Sequence, residues 1–137
     1  MAKLSSFQYQ DTSTCYLFTI EGEPVLDDQG TQLYVVVHGK KSSAYENKVN
    51  EQQNRRIKKA GKASAGMQMT AEQLRKEAFE LVVACVADWH IEDESGDVVP
   101  CTEDNVRRIF TEYPGIYEVV DAHIHDEANF LTSASAS

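Results

Sequence analysis

The side chains of this 137-residue chain that could do chemistry are four histidines, three cysteines and a large supply of carboxylates. The tightest grouping is His123-Ile124-His125, with Asp121 and Asp126 beside it and His90 further back in the chain. On a helix, residues two apart point about 200° from each other, so His123 and His125 cannot share a metal as residues four apart can. Neither a metal nor a cofactor is expected from them. Cys15, Cys85 and Cys101 are too few and too scattered for a disulfide framework, and an odd number leaves one unpaired. Cys15 and Cys85 lie in apolar runs where cysteine acts as a small core residue, and Cys101 follows Pro100 in a loop. There is no Gly-x-Ser-x-Gly elbow and no cysteine-protease signature. Glu92-Asp93-Glu94 falls in a polar loop where carboxylates stay solvated, and Gly39-Lys40-Lys41-Ser42 has one glycine where a phosphate-binding loop needs several. The expectation is a protein that is not an enzyme.

Charge narrows the kind of partner. The net charge of −9 opposes general affinity for DNA phosphates. Beneath that average, residues 40 to 62 carry eight basic side chains against two acidic ones, a local +6. From residue 67 onward there are four basic against fifteen acidic, a local −11. Two surfaces of opposite sign suit steering of a charged partner or head-to-tail self-association. A nucleic-acid role for the basic stretch is the competing reading, but no aromatic residue between Asn47 and Met69 is available to stack on bases. No stretch approaches the roughly 18 apolar residues that span a bilayer, and the first residues lack an apolar signal core, so cytoplasmic residence is expected.

Elements must hold these residues in place. Residues 13 to 20 put Tyr16, Phe18 and Ile20 at period two, and residues 31 to 38 do the same with Leu33, Val35 and Val37. They predict two antiparallel strands joined by a longish loop, each presenting that apolar face inward. Ser42-Ser43 caps a polar helix from Ala44 to about Ala60, with Tyr45, Val49 and Ile57 as its narrow apolar stripe. Small residues from Ala60 to Gly66 form a flexible linker. Thr70 and Gln73 fit a capping box opening the strongest helix, in which Leu74, Ala78, Leu81, Val82, Cys85, Val86 and Trp89 recur at helical spacing. Thr102 caps a third helix with Val106, Ile109, Phe110 and Tyr113 inward, and Pro114 opens a fourth. The fold class is α+β: a small N-terminal antiparallel sheet, then a helical half of three to four helices. One domain spans 1–137, divided into a β-rich part (1–41), charged helix and linker (42–66), helical part (67–131) and disordered tail (132–137).

The order of motifs in the second half carries a resemblance. Trp89 is followed by an acidic loop with Gly96, then Thr102-Glu103-Asp104-Asn105-Val106, then Tyr113-Pro114-Gly115-Ile116, and last Asn129-Phe130-Leu131. Over about fifty residues this resembles tail assembly chaperones of long-tailed, siphovirus-type bacteriophages. The resemblance implies a chaperone that binds the tape measure protein, keeps it soluble and helps recruit tail tube subunits, in the host cell cytoplasm and not retained in the virion. Trp89, Ile91, Tyr117 and Phe130 stand near helix ends as candidate apolar anchors, and Arg55, Arg56, Lys58 and Lys59 as candidate charged contacts. A minor virion component or head-tail joining protein is the remaining alternative.

Overall fold

The structure, a computed structural model, describes residues 4–62 and 69–131. The predicted tail at 132–137 and most of the predicted linker lie outside them. Strands β1 (Thr12–Tyr16) and β2 (Tyr34–His38) pair antiparallel, Tyr16 opposite Tyr34 and Thr12 opposite His38. A third strand, β3 (Val86–His90), pairs antiparallel with the other side of β2, which makes β2 central. The α+β class is as expected, with the third strand returning from within the helical half.

β3 corrects the expected helix running to Trp89. Helix α2 (Ala71–Cys85) stops one residue before the strand begins. Val86 and Trp89 satisfy helical spacing locally, but in a strand Trp89 and Ile91 alternate into the core together, and pairing with β2 decides the conformation. The register shifts between Val36 and Val37, where Ala87 is the extra, unpaired residue of β3, a bulge that absorbs the irregular entry from α2.

The face of the first strand is also corrected. Cys15 and Leu17 are buried, whereas Tyr16, Phe18 and Ile20 are exposed. Apolar residues occupy both alternate sets here, so period two alone could not say which set turns inward. The inner row across the sheet is Cys15, Val35 and Trp89, and it lies over Val82, Val83 and Cys85 of α2, Val106, Ile109 and Phe110 of α3 (Glu103–Glu112), and Val120 and Ile124 of α4 (Pro114–His125), all in one core.

Local signals set the helix starts. The Thr70 side chain accepts from the Gln73 N–H while the Gln73 side chain accepts from the Thr70 N–H. Thr102 accepts from the Asn105 N–H at 3.2 Å, and Pro114 occupies the first turn of α4, where its missing donor costs nothing. Helix α1 (Ser43–Lys62) starts after Ser42, whose Oγ accepts from the Tyr45 N–H and donates to the Gly39 carbonyl. It runs through Ala60 and Gly61, two residues further than expected.

Three apolar residues expected inside lie largely outside. Ile57 of α1 and Leu74 of α2 are exposed, and Tyr113, at the break between α3 and α4, is partly so. Among the described residues of α1, only Tyr45 packs on the core. The α1–α2 pair is joined instead by polar links: Gln52, buried, donates to the Glu77 carbonyl at 2.9 Å, and Arg56 meets the Glu77 carboxylate at 3.1 Å.

Candidate partner-binding surface

The connection between β1 and β2 is a folded arm. The Leu17 N–H donates to the Leu33 carbonyl, Val25 N–H to Leu17, and Leu33 N–H to Val25, at 2.8–3.0 Å. Leu17 and Leu33 are buried and anchor its base, with Val25 packed against them. Two turns complete it, with Gly22 and Gly30 at φ of 86° and 85°, a region only glycine enters without strain. The Asp27 side chain holds the second turn by accepting from the Gln29 and Thr31 N–H groups.

The geometry exposes a row of large apolar side chains. Phe18 is 55% exposed, Leu26 54% and Ile20 entirely so. The row continues onto the outer face of the sheet, where Tyr16, Tyr34 and His90 stand opposite one another on the three strands. The Tyr16 and Tyr34 rings meet edge to face at 6.0 Å, and Tyr34 tilts against the His90 imidazole at 5.8 Å. Such pairs hold the Tyr16 and Tyr34 rings in place on the sheet. Large exposed apolar side chains gathered on one arm and the adjoining sheet face make a candidate site where another molecule docks.

The expected anchors fare differently. Trp89, Ile91 and Phe130 are buried in the core, which corrects their placement as exposed contacts; Tyr117 is half-buried against Phe79 and Phe110. Trp89 also donates its indole N–H to the Val99 carbonyl at 2.7 Å, pinning the 91–99 loop beneath the sheet. Short distance from a helix end made them look peripheral, but the β3 turn carries the first two inward. The residues that were missed, Phe18, Ile20 and Leu26, had a signal in the sequence. An apolar strand with large residues on both alternate faces has one face more than its own core can cover.

The charged candidates lie on α1. Arg55, Arg56 and Lys58 are exposed; Arg55 pairs with Glu51 at 3.2 Å and Arg56 with Glu77. Lys59 lies in the same helix. Asn47, Asn50, Glu51, Asn54, Arg55 and Lys58 line a shallow polar face along it.

The histidines are dispersed. His123 is half-buried, its Nε2 2.9 Å from the Ser13 Oγ and its ring edge-on to Phe130; burial holds its pKa below the ordinary value. His125 instead meets the Asp121 carbonyl and carboxylate of its own helix. The thiols of Cys15 and Cys85 are pushed up by burial to about 11 and about 12, so neither is a nucleophile at neutral pH.

The phage tail assembly chaperone family model matches residues 22–129. The chain belongs to the phage tail assembly chaperone family. A search of the curated proteins and of the solved structures finds no match. The family is one of assembly chaperones, so the surfaces that matter in this chaperone are those that meet other tail proteins. Leu26, the second arm turn, α1 and the helical half all fall inside the matched segment, while Tyr16, Phe18 and Ile20 precede it. Among the described residues no helix is long and apolar enough to cross a membrane.

Proposed function

We propose that this chaperone binds the tape measure protein of a long-tailed phage in the host cytoplasm, keeps it soluble, helps recruit tail tube subunits around it, and is left out of the finished virion. The observation that carries the reading is the exposure of Tyr16, Phe18, Ile20 and Leu26 together on β1 and the arm that follows it. A long helical client presents apolar stripes that must be covered until the tube assembles. Covering a large apolar side chain contributes roughly 1.5–3 kcal/mol when complete. Three half-exposed residues and the fully exposed Ile20 give a hold firm enough to prevent aggregation and weak enough to be released. The basic face of α1 adds orientation through charge rather than affinity.

The test is co-expression with the large helical protein encoded downstream in the same genome, then affinity purification and size-exclusion chromatography. A soluble complex with a client that precipitates alone supports the reading. A client that stays insoluble with the chaperone present overturns it, as does stable recovery of the chaperone in purified particles.

A further inference from the structure

We propose that Asp27, His90 and Glu92 form a binding site for a divalent transition-metal ion, with zinc the best fit. Their donor atoms all lie within 4.8 Å of one another, although Asp27 is 63 residues from His90 in the chain. Each comes into place for a separate reason. His90 ends β3 and Glu92 follows two residues later, so an extended backbone turns both to the same side. Asp27 is fixed by its turn: Oδ1 accepts the Gln29 and Thr31 N–H groups, which leaves Oδ2 aimed at the His90 Nε2, 2.8 Å away. Tyr34 lies against the imidazole and limits its rotation. Support of this kind, in which neighbours hold each ligand in one orientation, is what metal sites require around the donors themselves.

Charge gives the second argument. The Asp27 side chain is 4% exposed, and its two oxygens face the Gln29 and Thr31 N–H groups and the His90 imidazole, so the carboxylate is held in a fixed orientation. Glu92 is half-buried beside it, and among the described residues its carboxylate has neither a hydrogen-bond nor an ion-pair partner. Two carboxylates set beside one imidazole offer oxygen and nitrogen donors to a divalent ion, whose charge offsets theirs. One nitrogen and two oxygens exclude magnesium and calcium as preferred ions, since those take oxygen donors, and suit zinc with water in the fourth position. Zinc bonds of about 2.0 Å draw the donors closer than they stand, and the unpartnered Glu92 side chain is the one able to rotate inward. Binding displaces any proton on the His90 Nε2, so the imidazole carries its remaining proton on Nδ1. The ion would join the arm to the end of β3 beside Leu26 and Tyr34, and so stiffen the apolar surface without touching the client.

The test needs no client. Chelator-stripped full-length chain is titrated with zinc sulfate by calorimetry at pH 7.5, and with cobalt(II) by visible absorbance. The expected result is one equivalent bound at micromolar Kd or tighter, a cobalt spectrum of tetrahedral intensity, and a Tm raised by several degrees. Glu92→Gln should weaken zinc at least tenfold and His90→Gln should abolish stoichiometric binding. Should circular dichroism show His90→Gln unfolded, Glu92→Gln decides alone, because it removes no existing hydrogen bond. Absence of heat overturns the proposal, and so does equal affinity in Glu92→Gln or a loss that follows His125→Gln instead.

Discussion

Gly39 and His123 are the residues at which packing makes the sharpest predictions. A Cβ on Gly39 would lie 2.8–2.9 Å from the Phe130 ring, which is itself buried in the core, so ring or backbone must shift. Gly39→Ala should therefore cost about 1–3 kcal/mol by overpacking, read as a lower Tm in a thermal melt. That glycine belongs to a stretch that looked like a poor phosphate loop; its reason for being glycine is the aromatic ring above it. His123 predicts a pH dependence. Its neighbours are Ser13 and Phe130, with Asn129 donating to its own backbone carbonyl and the Asp126 charge opposing the effect of burial. Burial outweighs that charge, so the folded pKa lies below the ordinary histidine value and the unfolded chain binds more protons between the two. Stability is then full above about 6.5 and falls as the pH drops from there toward the folded pKa. Melting followed between pH 7.5 and 5 should show this loss, and His123→Gln, which can keep the Ser13 bond without titrating, should flatten it. Asp27 contributes in a separate, lower window, since its depressed pKa delays its loss until the pH falls below the ordinary carboxylate range.

Among the elements, helix α1 separates charge that stabilises from charge that is available. Its second half, from Gln53 through Lys58, is exposed along its whole described length, and it is tied to α2 chiefly by Gln52 and Arg56. Reversing Arg55, Lys58 and Lys59 to Glu should leave Tm nearly unchanged, because exposed pairs contribute about 0–1 kcal/mol. Adding Arg56→Glu places two carboxylates together at Glu77 and should lower Tm slightly further. If the basic face orients the client, the triple variant slows complex formation, measured by surface plasmon resonance at two salt concentrations, while an unchanged salt dependence removes α1 from the interface. What could be read of these elements from sequence follows the range of the forces that set them. Thr70 with Gln73, Thr102 and Pro114 act within one helical turn, and all three helix starts were legible. β3 was not, because Val86 to His90 become a strand only when β2 is beside them. The Asp27–His90 contact was hidden for the same reason: nothing local joins a turn residue to a strand end 63 positions away.

At the scale of the whole molecule, the closed core and the open outer surface should respond in opposite ways to substitution, and this separates folding from client binding. Trp89 and Phe130 are in the core, so replacing either with Ala removes packed aromatic volume at a cost of about 3–5 kcal/mol. Any loss of client binding in those variants would follow from unfolding. Phe18 and Ile20 already meet water in the free chain, so Phe18→Asp with Ile20→Asp should change stability by roughly 1 kcal/mol or less. The same pair places two charges where an apolar client would have to desolvate them, which is costly without a partner. Thermal melts and co-purification of the two sets with the tape measure protein give the comparison. The expected pattern is a normal Tm with lost complex for the outer pair, and a lowered Tm for the inner pair. An outer pair that folds and still holds its client would move the docking surface off the arm, leaving the exposed Ile57 and Leu74 of the α1–α2 pair as the apolar contacts to test next.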